Sequence, residues 1–321
     1  MTRKIAFEEH YLHPDLRGYS SHGTDTVDRT AFASIARYLT DVGALRIELM
    51  DEAGVDVSVL SHFSPGVHME PLAATAQRLA RQVNDYLAEH IARYPRRLEG
   101  FAHLSMHDPQ VAADELERCV RDLRFKGALL NGHTRGVYLD AAINEPFWER
   151  VQDLDVPVYL HPTFPMEIPA AFRDYPGLDG AMWGWMAETG GHALRLILSG
   201  LFDRFPRLKI VLGHMGEGLP FMLYRIDYGG QFNIRRVALA KPLLSDYIRQ
   251  NFYITPAAFL SHEALLCSIA ALGVERVMFS IDAPLENSVK ASEFIETAPI
   301  SQEQREMICH GNAARLMNIA I

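Results

Sequence analysis

KIAFEEH, residues 4–10, introduces a pattern that recurs along the chain, because an apolar run here ends in two carboxylates and an imidazole. Later apolar runs end in the same manner, VPVYLH in His161, LKIVLGH in His214 and RVMFSID in Asp282. Short apolar runs are typical of parallel strands buried on both faces. The carboxyl ends of such strands converge on one mouth when the sheet closes into a barrel. The endings therefore predict one group of polar side chains at a barrel mouth.

Strand-like runs recur throughout the chain, at residues 5–7, 55–60, 98–102, 125–130, 156–160, 208–212, 252–255 and 277–279. Segments with helical spacing of apolar residues lie between most of them, for example at residues 71–94 and 109–123. Eight alternations of strand and helix predict an α/β fold, a (β/α)8 barrel. Because no linker or internal repeat separates two cores, we expect residues 1–321 to form a single domain.

Two predicted loops are longer than ordinary barrel loops. Residues 11–43 follow the first strand, and residues 162–189 follow the fifth. The second is rich in Pro, Met and Trp, so we expect it to fold over the mouth as a lid.

Composition excludes several classes of protein. With 48% hydrophobic and 22% charged residues among 321, the chain is typical of globular proteins. Its 31 Lys and Arg against 40 Asp and Glu give a net charge of -9, which disfavours nucleic acid as a partner. No apolar run has the length of a signal peptide core or a membrane span, so we expect a cytoplasmic protein that does not bind membranes. Cys119, Cys267 and Cys309 lie far apart, which argues against a disulfide framework and a thiolate metal cluster.

Four residues at the strand ends are candidate metal ligands. Glu8 and His10 are two positions apart, so alternation places both on one side of the strand and Glu9 on the other. His161 and Asp282 add a second imidazole and a second carboxylate, and together the four suit one divalent cation. A lone residue of this kind is more often a satisfied polar group or a helix cap, and it is the set of four that favours a metal site.

Other polar residues near the strand ends are expected to serve roles other than metal binding. We expect His62, His103 and His133 to line the pocket or to bond within loops. His214 and Glu217 of GHMGEG are expected to face the same cavity, where the carboxylate would fix the imidazole tautomer. The alternative for Glu217 is an early helix carboxylate favoured by the helix dipole.

The motifs resemble those of a known family. KIAFEEH, ERCVRDLRFKGALLNGH, DVPVYLHP, the long run from HALRL to LYRID, RVMFSID and NAARL are similar to the metal-dependent decarboxylases of the amidohydrolase superfamily, in the same order over nearly the whole chain. The likeness is nearest to γ-resorcylate, 2,3-dihydroxybenzoate and 5-carboxyvanillate decarboxylases, with aminocarboxymuconate-semialdehyde decarboxylase more distant. It implies a distorted barrel and non-oxidative loss of carbon dioxide from a hydroxylated aromatic acid.

The resemblance also implies roles for individual residues. It places one divalent metal ion per subunit, zinc or manganese, on Glu8, His10, His161 and Asp282. His214 and Glu217 match further catalytic residues, and Arg225 matches an arginine that holds the substrate carboxylate. Relatives form homo-oligomers, dimers or tetramers, and we expect the same here.

The sequence departs from the family in ways that leave the substrate open. The family usually has a large aromatic residue directly after the last metal aspartate, but here Ala283 follows Asp282, and Leu285 also replaces an expected aromatic residue. Neither Arg29 nor Arg37 aligns with the arginine that the 5-carboxyvanillate branch carries in its early insertion.

These residues are compatible with three classes of function. In the decarboxylase mechanism, Asp282 protonates the ring carbon that carries the carboxylate, and His214 is the alternative donor. A hydrolase or hydratase would instead use a metal-activated water on a lactone, an amide or an unsaturated keto acid. A non-enzymatic barrel would be expected to have lost at least one of the four ligands, and the sequence retains all of them.

Overall fold

The computed structural model describes residues 2–23, 29–232 and 238–320, so part of the predicted insertion at 11–43 lies outside the described residues. The strands are β1 (Ile5–Tyr11), β2 (Val57–His62), β3 (Leu98–Gly100), β4 (Ala128–Asn131), β5 (Val158–His161), β6 (Ile210–Leu212) and β7 (Phe252–Ile254). The helices are α1 (Arg29–Thr40), α2 (Ala44–Ala53), α3 (Ala73–Arg93), α4 (Pro109–Arg121), α5 (Glu145–Leu154), α6 (Gly184–Leu198), α7 (Leu201–Arg204), α8 (His214–Glu217), α9 (Leu219–Phe232), α10 (Leu244–Asn251), α11 (His262–Leu272), α12 (Ser288–Thr297), α13 (Gln302–Glu306) and α14 (Asn312–Met317).

The strands form two parallel sheets, in the orders β1-β2-β3 and β4-β5-β6-β7. A parallel bridge between Ala102 and Ala128 joins the two sheets just beyond β3. All seven strands overlap predicted runs, and the strand–helix alternation follows the predicted pattern. This arrangement confirms the predicted α/β class.

The eighth predicted run and the residues just after it, 277–283, pair with β7 at one end and with β1 at the other without forming a regular strand. Val277 bridges Ile254 of β7, and Ala283 bridges Glu9 of β1. Between these points the Glu8 amide donates to the Ser280 hydroxyl oxygen at 2.6 Å. A hydrogen bond to a side chain therefore contributes to this pairing. The pairings nevertheless close the ring and confirm the predicted barrel, in a distorted form.

The core lies in two layers. Large side chains from alternate positions fill the barrel interior, namely Ile5, Phe7, Val57, Val59, Phe101, Leu129, Tyr159, Val211 and Met278. A larger cluster lies between the strands and the surrounding helices. Ala313, Met317 and Ile319 from the end of the chain join the interior cluster. The barrel interior is therefore a packed core rather than an open channel.

Local signals explain where several helices begin and end. Asp108 caps α4, with its carboxylate accepting from the amides of Gln110 and Val111, and proline occupies the first helical position. α6 and α7 are separate helices, because Gly200 between them adopts φ 74 and interrupts regular winding. Among the described residues, we find no helix with both the length and the apolar character that a membrane span requires.

The long segment after β5 is folded against a neighbouring loop. His133 Nε2 lies 3.1 Å from the carbonyl oxygen of Phe164, and the Phe164 ring packs on Trp185 at the start of α6. Met166, Tyr175 and Met182 of the segment are exposed. Its role as a lid stays a prediction.

Candidate metal centre

Both predicted ligands of β1 face the barrel interior because the alternation of this strand is interrupted. Phe7 lines the interior, so an unbroken strand would send Glu9 inward and Glu8 outward. The register against β2 shifts between Ala6 and Glu9, which is a β-bulge and re-aims the side chains that follow. Phe7 and Glu8 consequently both contact Tyr159. The expected placement of Glu8 inside and Glu9 outside is therefore present, and the bulge produces it.

Two histidines present the same ring nitrogen to the centre. His161 Nδ1 donates to the Pro162 carbonyl oxygen at 3.0 Å, and His10 Nδ1 lies 3.2 Å from Ser61 Oγ. A hydrogen bond at Nδ1 fixes the orientation of the ring and leaves the Nε2 lone pair for a ligand. Both imidazoles are held in the manner of metal ligands.

The Glu8 carboxylate is fixed by its surroundings. Tyr159 donates its hydroxyl to Glu8 Oε2, and that hydroxyl lies 3.1 Å from Thr255 Oγ1. Gly213 leaves the space that this arrangement needs, because a Cβ there would lie 2.5 Å from Glu8 Oε2. The other oxygen, Oε1, lies 3.6 Å from His161 Nε2.

Asp282 is the fourth candidate ligand, and it lies on the segment that pairs with β1. Its Oδ1 lies 3.1 Å from His10 Nε2. The backbone of Asp282 has φ 77, a left-handed conformation that is costly for a residue other than glycine. Such strain persists only where surrounding contacts determine the conformation, and it is common at functional sites.

The assembled residues fit a divalent cation. The ligand atoms of Glu8, His10 and His161 all lie within 4.8 Å of one another. Glu8 Oε1, His10 Nε2 and Asp282 Oδ1 are buried, and within the described part of the chain they have no hydrogen-bond partner. Leaving buried polar atoms unpaired is costly, and one cation between them would satisfy all three. Two imidazoles with two carboxylates suit zinc and manganese alike.

His214 reaches the same centre through a left-handed turn. Five consecutive residues of α8 and its end have positive φ, with values of 49°, 56°, 72°, 52° and 71° from His214 to Gly218. The turn brings Glu217 Oε1 to 2.8 Å from His214 Nδ1. His214 Nε2 then lies 3.7 Å from Glu8 Oε1. The predicted pairing of His214 with Glu217 at the cavity is therefore present, and α9 begins just after the turn.

The surrounding charges separate the histidines into two kinds. Burial opposes a charge on His214, but the carboxylates of Glu8 and Glu217 outweigh it and raise the pKa of His214 to about 10. Burial and the neighbouring imidazoles hold the pKa of His161 well below its ordinary value. Burial raises the pKa of Glu8 to about 7. The centre thus combines a neutral imidazole suited to a metal with one suited to carry a proton.

Arg225 lies apart from this network. It is on α9 with an exposed side chain, and among the described residues no hydrogen bond or ion pair joins it to the ligand cluster. Its predicted contact with a substrate carboxylate stays a prediction.

The remaining histidines near the strand ends bond to loop backbone, one of the two roles expected for them. His62 Nε2 accepts from the His13 amide at 3.1 Å, and His103 Nε2 accepts from the Val67 amide at 3.1 Å. His133 bonds to Phe164, as described above.

Sequence reasoning did not identify the residues that support the ligands. Tyr159 precedes His161 by two positions and Ser280 precedes Asp282 by two positions, so strand alternation alone would have placed each on the same face as its ligand. Gly213 gave a weaker signal, since a glycine at a strand end is common for many reasons.

Comparison with known proteins gives a consistent result. A model of the family described as Amidohydrolase matches residues 41–319. The chain is 41% identical over 330 aligned residues to the γ-resorcylate decarboxylase of Polaromonas sp. (strain JS666), and the alignment covers 99% of each chain.

Two solved structures are similar over their full length. A dihydroxybenzoic acid decarboxylase from Polaromonas sp. JS666, with bound manganese and the inhibitor 2-nitroresorcinol, has a TM-score of 0.92 and 41% identity, covering 99% of this chain and 97% of that one. The 5-carboxyvanillate decarboxylase of Sphingomonas paucimobilis has a TM-score of 0.92 and 41% identity, covering 100% of both. These likenesses confirm the resemblance expected from the motifs.

Proposed function

The chain belongs to the amidohydrolase family, and we propose that it is a carboxy-lyase that removes carbon dioxide, without oxidation, from a hydroxylated aromatic acid. The observation that carries the proposal is the inward-facing set of two carboxylates and two imidazoles, in which Glu8 Oε1, His10 Nε2 and Asp282 Oδ1 are buried without a hydrogen-bond partner among the described residues. Full-length identity of 41% to decarboxylases supports this reaction class.

The substrate class follows from what the relatives' substrates share. γ-Resorcylate and 5-carboxyvanillate both carry a carboxylate next to a phenolic hydroxyl. We extend this feature to the present protein and propose an ortho-hydroxybenzoate. Ala283 is smaller than the aromatic residue that the family usually has after Asp282, and this departure leaves the choice among such acids open.

Glu8, His10, His161 and Asp282 would hold one divalent cation, manganese as in the Polaromonas structure or zinc. When bound there, the cation supplies Lewis-acid stabilisation of anionic oxygen atoms. The side chains around it would fix its position, because both histidines are anchored at Nδ1 and Glu8 is held by Tyr159.

In the proposed reaction Asp282 would move the proton. Direct loss of carbon dioxide would leave a carbanion in the ring plane, where its electron pair cannot delocalise. In the proposed step, the carboxyl group of Asp282 gives a proton to the ring carbon that carries the carboxylate, and a new C–H bond forms. The C–C bond then breaks, its electrons restore the aromatic ring, and carbon dioxide leaves.

His214 steadies the substrate or serves as the alternative donor. Glu217 holds Nδ1, which leaves Nε2 directed at the centre. An imidazolium in this position would also balance the charge of an anionic substrate.

Hydrolysis is the disfavoured alternative. The same ligand set can activate water for attack on a lactone or an amide. The full-length likeness to decarboxylases favours carbon–carbon cleavage instead.

Further features of the protein belong to the proposal. Residues 1–321 would form one domain in a cytoplasmic homo-oligomer, a dimer or tetramer. Exposed aromatic side chains along α9 support self-association, namely Phe221, Tyr224, Tyr228 and Phe232. Arg225 stands beside them and would hold the substrate carboxylate.

Proton NMR in deuterated water tests the reaction. Metal-reconstituted protein is incubated with γ-resorcylate, 2,3-dihydroxybenzoate, salicylate and 5-carboxyvanillate, and the expected product is a phenol with deuterium at the vacated carbon. Protein from which a chelator has removed the metal ion is the control, and it should leave every acid intact. Survival of all four acids with stoichiometric metal bound would contradict the proposed substrate class, and lactones and unsaturated keto acids would then be tested.

A further inference from the structure

A buried arginine beside the metal centre bonds both to β1 and to the segment that contains Asp282. Arg46 lies on α2 and is only 1% exposed. Its guanidinium donates to the carbonyl oxygen of His10 through Nη2 and to that of Ala283 through Nη1, at 3.4 Å. The Ala283 carbonyl also accepts from the His10 amide at 2.7 Å. One side chain thus contacts a ligand residue of β1 and the residue that follows Asp282.

The carboxylate of Glu9 contacts the segment on the other side of Asp282. Glu9 is 1% exposed, and its Oε1 accepts from the Ile281 amide at 3.0 Å. The same oxygen lies 3.5 Å from Ser280 Oγ. The residues immediately before and after Asp282 are therefore both held by hydrogen bonds with buried ionisable side chains.

Stability alone does not account for these two side chains. Burying a guanidinium and a carboxyl group is costly, and burial raises the pKa of Glu9 to about 8, whereas apolar residues of similar volume are often equally stable or more so. Asp282 meanwhile keeps a left-handed backbone at φ 77, which surrounding contacts must enforce. Bonds to residues 281 and 283 are well placed to do so.

We propose that Arg46 and Glu9 are positioning residues, which lock the backbone around Asp282 and thereby set its carboxylate against His10 Nε2 for metal binding. The inference rests on the proposed metal site, but not on the reaction catalysed there. Arg46 acts through two carbonyl oxygens, for which its planar fork is suited. Glu9 acts through the Ile281 amide, on the outer side of the bulge that turns Glu8 inward.

Manganese affinity measures this role directly. Arg46→Met and Arg46→Lys are compared with wild type by the EPR signal of free Mn²⁺ during titration, and thermal unfolding of the metal-free proteins is recorded in parallel. Lys4→Met is the matched control, because Lys4 is also fully buried and ion-paired, to Glu296 at 2.7 Å, but it precedes β1 at the far end from the ligands.

We expect Arg46→Met to weaken Mn²⁺ binding about ten- to hundredfold, the usual effect of removing a group that supports metal ligands. Arg46→Lys keeps the charge but has a single ammonium group, so it should restore only part of the affinity. Lys4→Met should stay within about twofold of wild type in affinity even if its unfolding temperature falls, since no ligand contacts it.

The proposal is overturned if Arg46→Lys binds Mn²⁺ as tightly as wild type, a result that stands even if Arg46→Met fails to fold. It is also overturned if Lys4→Met loses as much affinity as Arg46→Met, because general destabilisation would then be the cause. A wild-type protein that binds Mn²⁺ but decarboxylates no acid contradicts the proposed reaction and leaves the role of Arg46 intact.

Discussion

Replacing Gly213 with alanine tests the geometry of the metal centre with a single added carbon. Gly213 has φ -73, which alanine adopts without strain, so the change acts through space alone. The new Cβ would lie 2.5 Å from Glu8 Oε2 and 2.8 Å from the Tyr159 hydroxyl. To restore ordinary contact, the Glu8 carboxylate must retreat by about 1 Å, and this displaces the ligand oxygen on the other side of the group.

The magnitude follows from the two effects of that displacement. Overpacking a tight interior usually costs about 1–3 kcal/mol of the free energy of unfolding. A ligand moved from its held position should lose about ten- to hundredfold in Mn²⁺ affinity, and turnover at limiting metal should fall with it.

Mn²⁺ titration by EPR and thermal unfolding of the metal-free protein are the measurements. Gly191→Ala is the control, because Gly191 lies on α6 and a Cβ added there would have no neighbouring atom within 4 Å. Alanine there should stabilise the helix by about 1 kcal/mol and leave Mn²⁺ affinity unchanged. A folded Gly213→Ala protein with wild-type affinity and turnover would refute the assignment of Glu8 as a ligand held by its surroundings.

Three further predictions concern protons and charge at the centre. Asp282→Asn should lower kcat by about 10²–10⁴-fold, because an amide cannot deliver the proton, and a metal-loaded variant with full turnover would exclude Asp282 as the donor. Mn²⁺ affinity should rise about tenfold per pH unit up to pH 7 and level off above it. The reason is that burial raises the pKa of Glu8 to about 7, so below this pH the carboxyl group must release a proton before it can bind Mn²⁺. Mn²⁺ titrations between about pH 5.5 and 8.5 measure the slope of affinity against pH, and a flat profile would contradict this account. Glu217→Gln should move the alkaline limb of the pH–kcat profile to lower pH, because losing the Glu217 carboxylate lowers the pKa of His214; an unmoved limb would show that His214 does not control it.

The sequence determined the class of fold and most of the centre. Apolar runs alternating with helical segments require buried parallel strands, and this pattern is local enough to be recognised without coordinates. Glu8, His10, His161 and Asp282 follow such runs directly, and the carboxyl ends of barrel strands meet at one mouth. The ligand set could therefore be assembled from spacing, residue type and family resemblance.

How these residues are oriented depends on contacts that form only in the folded chain. Strict alternation from Phe7 would have turned Glu8 outward, and the bulge that corrects it depends on pairing with β2, a contact distant in sequence. The roles of Gly213 and Arg46 depend on atoms more than 200 residues away along the chain, Glu8 for the first and Ala283 for the second. Side-chain periodicity is a property of neighbours along the chain, whereas the position of a ligand oxygen is set by packing between segments that meet only after folding.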